Sequence, residues 1–382
     1  MKILFAAAGA YGHLYPVLPV ARAAQRMGHT VAVATHPRFH GEVGHAGLTA
    51  VAAGPFVEGV LGEAAAGLPE PPESGLDVVV RAFELMIPRT MADLKPILAE
   101  GDYDLVVHEA GLPGAALAAA AAGIPSVLMG VGRVPDDPMW DVMFEHHARI
   151  AAENGWTIQD ARTMDSPYLD FCPPSLQAPG FPKAGTAHIL MRTVAWNPPG
   201  ELPRTVLARD PRKPLVYLTL GTGTMATEPT VFRAMIDALA QLPAQAVVST
   251  GPALAVDALG AVPDNVEIVG WVPQAELLDF VDLVVHHGGD GTTFAAMARG
   301  VPQLLLPHGA DQFTNGQMLS AAGAGRQILP EEVTPERIAE EVRRLLFGDE
   351  EARAAAHKLR DEIAQMPTVE DAIDQVIEVT RP

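Results

Sequence analysis

Hydrophobic positions in the first part of the chain fall into short β-prone runs that alternate with Ala-rich helical stretches. This alternation is typical of a parallel sheet covered by helices on both faces. It predicts strands at residues 3–7, 30–35, 105–108 and 126–130, and a first helix at residues 15–27. Residues 1 to about 130 are therefore predicted to form a doubly wound unit.

The same alternation begins again after a proline-rich stretch, WNPPGELPRTVLARDPRKP, at residues 196–214. Hydrophobic periodicity disappears there, which indicates an inter-domain linker, placed at 201–214. Further strands are predicted at residues 215–220, 246–250, 266–269, 283–286 and 303–306. The sequence thus predicts an α/β protein of two doubly wound, Rossmann-like domains, at residues 1–200 and 215–366.

Two helix starts are marked near the end of the chain. Thr334 precedes Pro335, and proline is favoured in the first turn of a helix. Thr368 with Asp371 three residues later forms a capping box. The second signal predicts a C-terminal helix within residues 367–382, which we expect to pack back on the first domain.

Two segments, at about residues 56–96 and 134–182, are predicted to be irregular because Pro and Gly are frequent in them. Large apolar side chains are scattered through both segments, and such groups above a sheet can line a pocket. Each of them could equally be an ordinary loop anchor. The candidate pocket residues are Phe56, Phe83, Met86, Trp140 and Phe144.

Composition and charge restrict the partners. With 382 residues, 48% of them hydrophobic, the chain can bury two cores without disulfides. Its 26 basic and 46 acidic residues give a formal net charge of -20, which repels nucleic acid and anionic lipid surfaces, so neither is expected as a partner. The lone Cys172 excludes an internal disulfide and a zinc thiolate cluster and fits a cytoplasmic location. Monomer and homodimer are both compatible with the sequence.

Residues 110–132 contain no charged side chain and are long enough to span a bilayer. Pro113 and Pro125 interrupt them, however, and Ala-rich sequence with interspersed Gly is only weakly hydrophobic. We therefore expect a helix of a soluble protein followed by a buried strand. The chain start, MKILFAAAGAYGHLYP, is expected to form a strand and turn of the mature fold, because His13 and Tyr15 interrupt its apolar run.

A glycine-rich turn, HGGDGT, follows the strand predicted at 283–286 and precedes a helical run at 292–299. Glycines let the backbone approach a ligand closely, and a helix N-terminus presents free N–H groups with partial positive charge. Both properties suit a pyrophosphate, although the turn could also be a tight connection without a ligand. The predicted contacts are His287, Gly288, Gly289, Gly291 and Thr292.

The next strand exit, HGADQFTN, carries Asp311 and Gln312. Their carboxylate and amide groups suit the hydroxyls of a sugar. Asp311 could instead be a helix N-cap.

The second half of the chain contains three ordered motifs: GWVPQAELL at 270–278, HHGGDGTT at 286–293 and GVPQLLLPHGADQFTN at 300–315. Together they resemble the nucleotide-sugar signature of the GT-B glycosyltransferases of family 1, especially the bacterial antibiotic and macrolide type. The same family has segments similar to GAYGHLYPVLPVARAAQRMGHTV at 9–31 and LGTGT at 220–224. The resemblance implies a GT-B fold, with an N-terminal acceptor domain and a C-terminal nucleotide-sugar domain facing across a cleft.

The resemblance also implies roles for residues of the second domain. Trp271 would stack near the base, with Val272 and Gln274 at the same rim, although Trp271 could instead pack at an interface. The pyrophosphate would be contacted by His287, Gly289, Gly291 and Thr292, helped by Thr222. The hexose would be contacted by Asp311 and Gln312.

One departure from the family concerns the nucleotide. Many relatives carry a Glu three residues after the position of Thr292, where it contacts the ribose hydroxyls, but this chain has Ala295. A deoxyribose lacks one of those hydroxyls, so the absence of the carboxylate weakens the binding of a thymidine donor less than that of a uridine donor. The expected donor is a dTDP-deoxysugar rather than a UDP-sugar.

His13 lies between the first predicted strand and helix, where we expect its imidazole to face the inter-domain cleft. An imidazole with a pKa near neutrality can take a proton from an acceptor hydroxyl, although a lone His in such a turn can also be a cap. In the family, the histidine of this GHLYP-type motif is the general base. Single-step displacement would then invert the anomeric centre, giving a β-linkage from an α-donor.

The run DYDLVVHEAG places Glu109 where relatives commonly have the Asp that partners this base. A carboxylate on the far imidazole nitrogen fixes the tautomer and stabilises the imidazolium, and Glu can do this if its backbone lies slightly farther away. The neighbouring His108 points to the other face of a regular strand and is expected to be structural. No cofactor or metal is expected, because no DxD-like motif is apparent.

These features predict an inverting glycosyltransferase that moves a hexose from a dTDP- or UDP-sugar to an oxygen of a lipophilic polyketide, macrolide, enediyne or aromatic acceptor. A dinucleotide oxidoreductase is disfavoured because GAYGHL lacks the third glycine of that fingerprint and TVAVATH ends without an acid. A sugar-nucleotide epimerase of this fold would need acids in the cleft and no lipophilic acceptor site. An intact His13 disfavours a non-catalytic sugar-nucleotide-binding helper.

Overall fold

The computed structural model of the chain describes residues 1–68, 75–136, 138–223 and 229–381. Thr224, the last residue of the LGTGT segment, lies outside the described residues. The chain divides into two compact units. The first comprises Met1–Arg192 with Met366–Pro382, and the second comprises Thr193–Gln365.

The first unit is built on a parallel sheet of seven strands in the order β3-β2-β1-β4-β5-β6-β7. Its central strands are short apolar runs that are buried on both faces, as parallel strands between helical layers must be. The strands are β1 Lys2–Ala6, β2 Thr30–Thr35, β3 Thr49–Ala52, β4 Leu105–Glu109, β5 Ser126–Met129, β6 Tyr168–Asp170 and β7 His188–Leu190. The four strands predicted from the sequence are confirmed, and β3, β6 and β7 are additional.

The helices of the first unit are α1 Tyr11–Arg26, α2 His40–His45, α3 Val57–Ala66, α4 Gly75–Glu100, α5 Gly114–Ala122, α6 Pro138–Glu153 and α14 Val369–Val379. The expectation that residues 56–96 and 134–182 are irregular is wrong, since α3, most of α4, α6 and β6 lie there. Helix α4 continues through Pro88 and Pro96. Its apolar residues, including Leu94 and Leu98, are buried in the core, and this burial outweighs the cost of the prolines.

The second unit has a parallel sheet of six strands in the order β10-β9-β8-β11-β12-β13. The strands are β8 Leu215–Thr219, β9 Gln245–Ser249, β10 Val266–Val269, β11 Leu283–His286, β12 Gln303–Leu305 and β13 Gly325–Gln327. The helices are α7 Arg204–Leu207, α8 Pro229–Ala240, α9 Gln274–Leu277, α10 Asp290–Arg299, α11 Gln312–Ala321, α12 Pro335–Phe347 and α13 Glu350–Gln365. All five strands predicted here are confirmed, and β13 is additional.

The proline-rich residues 196–214 are tied to the second unit. The Asn197 side chain donates to Glu276 and accepts from the N–H of Ala275, at 3.0 and 2.7 Å. The Glu267 carboxylate accepts from the backbone N–H groups of Arg204 and Thr205. Side-chain hydrogen bonds thereby anchor Asn197 and the first turn of α7 to the rest of the second unit.

Helix α14 belongs to the first unit, as part of residues 366–382. Its capping box of Thr368 and Asp371 is confirmed, and Thr334 caps α12 as predicted. An ion pair of 2.8 Å between Arg26 on α1 and Glu370 on α14 joins the two helices. Among the described helices, none is both long and apolar enough to cross a bilayer. The uncharged residues 110–132 form α5 and the buried strand β5, as predicted.

Candidate active site

His13 and Glu109 meet at the carboxyl edge of the first sheet. Strands β1 and β4 are neighbours with Ala6 opposite His108, so Glu109 emerges beside the turn that leads from β1 into α1. His13 lies in the first turn of α1, and its Nδ1 is 3.0 Å from Oε2 of Glu109. The sheet order therefore brings together two residues that are 96 positions apart in the chain.

Glu109 is completely buried, and backbone donors hold its carboxylate. Oε1 accepts from the Ala8 N–H at 3.0 Å, and Oε2 accepts from the Gly111 N–H as well as from His13. Burial raises the pKa of Glu109, but the charge of His13 and these hydrogen bonds outweigh it and leave the pKa below its usual value. The extra methylene of Glu is thus accommodated, and the carboxylate is ionised beside the imidazole.

Gly111 leaves room for the His13 ring. A Cβ on Gly111 would lie 2.5 Å from Cε1 and 2.6 Å from Nδ1 of His13, and 3.0 Å from Oε2 of Glu109. Such contacts are far shorter than carbon atoms tolerate. The ring is therefore packed directly against the Gly111 backbone, which fixes where its other nitrogen points.

His108 is buried on the opposite face of β4, as predicted. Its Nδ1 is 3.4 Å from the Glu109 carbonyl oxygen, and burial lowers its pKa to about 4. His108 is therefore a neutral core residue.

A cavity lies within the first unit, where residues after β4 and β5 meet α6. Two of its wall residues, Ala110 and Pro113, lie within four positions of Glu109 in the chain, although His13, Glu109 and Gly111 are not themselves among the lining residues. Much of the remaining wall is apolar or aromatic and includes Leu128, Val134, Phe144, Met164 and Tyr168.

Both arginines of the cavity wall are paired with aspartates. Arg133 makes two hydrogen bonds of 2.7 Å to Asp136, and Arg162 makes one of 2.8 Å to Asp141. Paired charges leave the wall close to neutral, which suits an uncharged ligand.

The five candidate pocket residues do not form one group. Phe144 lines the cavity, and Phe83 packs edge-on against the cavity residue His147 at 4.8 Å between ring centroids. Met86 is only 5% exposed and belongs to the core below. Phe56 lies in a separate aromatic cluster with Phe39, and Trp140 is half-buried on α6.

His147 is a cavity residue that the sequence analysis did not single out. It is 2% exposed, and no described residue offers a hydrogen-bond partner to its buried Nε2. Burial lowers its pKa to about 4, helped by His146, so the ring is neutral near pH 7. A buried nitrogen without a protein partner costs free energy unless a ligand or water satisfies it. Its spacing of three and four residues before the apolar Ile150 and Ala151, which places all three on one helix face, was the available signal.

In the second unit, the glycine turn leads from β11 into α10, which begins at Asp290 with Gly289 as its N-cap. The His287 ring packs between two glycines. A Cβ on Gly289 would lie 2.5 Å from its Nε2, and a Cβ on Gly221 would lie 2.5 Å from its Cε1. Gly221 comes from the LGTGT segment after β8, so the ring joins the two loops that were expected to meet the diphosphate.

Burial lowers the pKa of His287 to about 4, although the nearby Asp311 carboxylate acts in the opposite direction. The ring is therefore neutral without a ligand and contributes hydrogen bonding rather than positive charge. Its Nδ1 is buried, and the described part of the chain supplies no partner for it. A diphosphate oxygen would satisfy this nitrogen if it carries the proton.

The glycines of the turn differ in what they permit. Gly288 has a φ of +96°, a conformation that other residues rarely adopt, and a Cβ there would meet the Gln312 carbonyl oxygen at 3.0 Å. For Gly291, no described heavy atom lies within 4 Å of the Cβ position. Gly288 is thus required by the fold itself, whereas Gly291 leaves open space at the first turn of α10.

The residues expected around the base lie between the end of β10 and the start of α9. Trp271 is 39% exposed, whereas Val272 is buried in the same apolar cluster as Ala295. Gln274 Oε1 accepts from the hydroxyl of Thr292 at 3.4 Å, which links α9 to the first turn of α10. The Val272 side chain is therefore a core group, and only its backbone could contact a nucleotide. Thr222 is half-buried after β8.

Asp311 and Gln312 begin α11. Asp311 occupies the N-cap position, but its side chain caps none of the described N–H groups. Gln312 Oε1 accepts from the N–H groups of His308 and Gly309, at 2.8 and 3.2 Å, so its carbonyl oxygen is occupied by the loop. A sugar hydroxyl could then be met by the Gln312 amide N–H and by the Asp311 carboxylate.

Two polar residues beside Asp311 were missed by the sequence analysis. Asn315, 1% exposed, donates to Asp290 Oδ1 at 2.8 Å and to the Gly288 carbonyl oxygen at 2.9 Å. Burial and the neighbouring Asp311 carboxyl raise the pKa of Asp290 well above its usual value. The spacing of four between Asp311 and Asn315, which places both on one helix face, was the available signal. Within the described ranges, no group of three or more His, Cys, Asp or Glu is arranged to hold a metal ion.

Comparison with known proteins gives a family match to part of the chain and relatives that cover nearly all of it. Residues 233–379 match the family described as erythromycin biosynthesis protein CIII-like, C-terminal domain. L-demethylnoviosyl transferase from Streptomyces niveus is 34% identical and covers 96% of this chain and 95% of its own length. 3-alpha-Mycarosylerythronolide B desosaminyl transferase from Saccharopolyspora erythraea is 28% identical and covers 98% of this chain and 97% of its own length. The crystal structure of the glycosyltransferase SsfS6 from Streptomyces sp. SF2575, complexed with thymidine diphosphate, is 26% identical, covers 99% of both chains and has a TM-score of 0.80.

Proposed function

The chain belongs to the family of bacterial antibiotic-biosynthesis glycosyltransferases and has their GT-B fold, and we propose that it moves a deoxyhexose from a dTDP-sugar to a lipophilic natural-product acceptor. The observation that carries the proposal is the His13–Glu109 pair, in a unit that also holds a largely apolar cavity. A general base together with a neutral, apolar wall suits transfer to a hydroxyl of an uncharged acceptor.

His13 is the proposed base. Its Nδ1–H donates to the Glu109 carboxylate, which leaves Nε2 with a lone pair. Nε2 takes the proton of an acceptor hydroxyl while that oxygen attacks the anomeric carbon of the donor. The bond from this carbon to the diphosphate oxygen breaks, dTDP leaves, and the configuration inverts. Glu109 stabilises the imidazolium that forms, as the carboxylate of a catalytic triad does.

The second unit is the proposed donor site. SsfS6 binds thymidine diphosphate, and L-demethylnoviosyl transferase is named for the sugar it transfers. In this chain, the neutral His287 and the N–H groups at the start of α10 are the proposed diphosphate contacts, with Thr222 and Thr292 adding hydroxyls. Ala295 supports dTDP over UDP because it offers no carboxylate to a ribose 2′-hydroxyl. Asp311 and Gln312 are the proposed sugar contacts.

The cavity of the first unit is the proposed acceptor site. One relative is named for transfer to 3-alpha-mycarosylerythronolide B, a large organic acceptor. The paired charges of Arg133 and Arg162 favour a neutral molecule, and the aromatic ring of Phe144 provides an apolar contact surface. His147 is the polar group of the wall best placed to meet a hydroxyl or carbonyl.

Mass spectrometry of the purified protein tests the proposal. The protein is incubated with dTDP- and UDP-sugars in parallel, each with a panel of aromatic and macrolactone acceptors. The expected result is an acceptor heavier by one sugar minus water, formed with release of dTDP and only slowly from UDP-sugars. Hydrolysis of the dTDP-sugar without transfer to any acceptor would contradict the proposal. An isomerised sugar nucleotide without any glycosylated acceptor would contradict it as well.

A further inference from the structure

The side-chain amide nitrogen of Asn315 lies within hydrogen-bonding distance of three acceptors. Its Nδ2 lies 2.9 Å from the Gly288 carbonyl oxygen, 2.8 Å from Oδ1 of Asp290 and 3.4 Å from Oδ2 of Asp311. Asn315 is 1% exposed and lies on α11, one turn after Asp311. An amide has only two N–H donors, so the long contact to Asp311 is shared or alternates with the other two.

The three acceptors belong to different functional parts of the proposed donor site. Gly288 is the positive-φ residue of the glycine turn, and Asp290 is the first residue of α10, whose N–H groups are proposed to meet the diphosphate. Asp311 is the proposed sugar contact. A single amide therefore connects the diphosphate loop to the sugar-reading carboxylate.

The two carboxyl groups beside Asn315 make this donor necessary. Asp290 and Asp311 are close enough to interact strongly, and burial adds to the cost of ionising both. A hydrogen-bond donor between them lowers that cost, and Asn315 is the neutral donor that reaches both. Without it, the pKa of Asp290 would be expected to rise further or the two carboxyl groups to move apart.

We propose that Asn315 is a positioning residue for donor binding, whose amide holds the Gly288 turn and the Asp311 carboxylate in one arrangement. The inference rests on the proposed donor site and adds to it a residue that touches neither substrate. It follows that loss of the amide weakens the binding of free dTDP as well as of the dTDP-sugar, whereas loss of Asp311 weakens only the binding of the dTDP-sugar.

Calorimetry with dTDP and dTDP-glucose tests this on the full-length protein. Asn315→Ala should weaken both ligands by about tenfold or more, the size expected for hydrogen bonds to buried and charged groups. Gln317→Ala, at an exposed position of the same helix, is the control and should bind both ligands like the parent. Melting curves report whether each variant is folded.

Asn315→Asp supplies a readout that a merely structural role would not change. The titratable groups facing this position are Asp290 and Asp311, with His287 and His308 beyond them. At pH 8 the added carboxylate repels Asp311 and cannot donate to the Gly288 carbonyl oxygen or to Asp290, so dTDP should bind about tenfold or more weaker than to the parent. At pH 5 the added carboxyl is protonated more often and can donate a hydrogen bond, so the deficit relative to the parent should shrink several-fold.

Each outcome is decisive. A parent that binds neither ligand overturns the proposed donor site itself. A parent that binds, together with an Asn315→Ala variant whose two affinities stay within about twofold, overturns only the role of Asn315. Failure of both variants to fold, or an Asn315→Asp deficit that does not change with pH, assigns Asn315 to fold stability and also overturns the inference.

Discussion

Replacement of Gly111 by Ala tests the packing of the proposed base with a single methyl group. The new Cβ would lie 2.5 Å from Cε1 and 2.6 Å from Nδ1 of His13, on the side of the ring that faces Glu109. The Gly111 backbone lies outside the left-handed region, so alanine is not strained there for conformational reasons. The perturbation is therefore steric and directed at the ring.

The size of the effect follows from these distances. Ordinary contact begins near 3.4 Å, so the His13 ring must move by roughly 1 Å or rotate away from Glu109. A displacement of about 1 Å at a reacting group can lower the rate about a hundredfold. We expect kcat to fall about a hundredfold, with overpacking costing about 1–3 kcal/mol of stability.

The assay measures kcat with saturating donor and acceptor, the Kd of dTDP by calorimetry and the melting temperature. The affinity for dTDP should be unchanged, because Gly111 and the diphosphate contacts belong to different units. Gly62→Ala on α3 is a matched control, since no described heavy atom lies within 4 Å of its Cβ position. If Gly111→Ala keeps kcat within about threefold while remaining folded, the ring position is not critical and the reasoning fails.

Three further predictions concern the donor, the metal requirement and the acceptor. Asp311→Ala should weaken the intact dTDP-sugar by about 1.5–3 kcal/mol and leave free dTDP unchanged, and equal loss of both by calorimetry would make Asp311 a structural residue. Added EDTA should leave turnover unchanged, and a strict need for Mg²⁺ would contradict the proposed diphosphate contacts. His147→Phe should raise the acceptor KM several-fold at unchanged donor KM. His146→Phe, one residue away and outside the cavity wall, is the control and should leave the acceptor KM unchanged. Equal effects of the two substitutions on the acceptor KM would remove His147 from the acceptor site.

The strands that support the site could be predicted from the sequence, because each is a short apolar run with a clear end. The placement of His13, Glu109 and the glycine turn at or after the ends of such strands could be predicted as well, whereas their roles were expected from the family resemblance. The pairing of His13 with Glu109 was expected only from the family resemblance, since it depends on β1 and β4 being neighbours in the sheet. That neighbourhood is a long-range property that periodicity does not contain.

The misses have physical causes as well. Helix α4 was expected to be irregular because Pro88 and Pro96 are helix breakers, yet core burial of its apolar face outweighs them. Asp290 was overlooked inside a glycine-rich turn, and Asn315 because a buried amide has no sequence pattern of its own. Its proposed role depends on three acceptors contributed by two segments, which only the folded chain brings together.

The most direct test of the central claim compares binding and turnover for His13→Ala. Removal of a general base typically lowers the rate by about 10²–10⁴-fold. The variant should lose sugar transfer to this extent, measured as glycosylated product by mass spectrometry, while calorimetry shows parental affinity for dTDP. Near-normal turnover of His13→Ala would contradict the assignment of His13 as the base and, with it, the mechanism proposed for this enzyme.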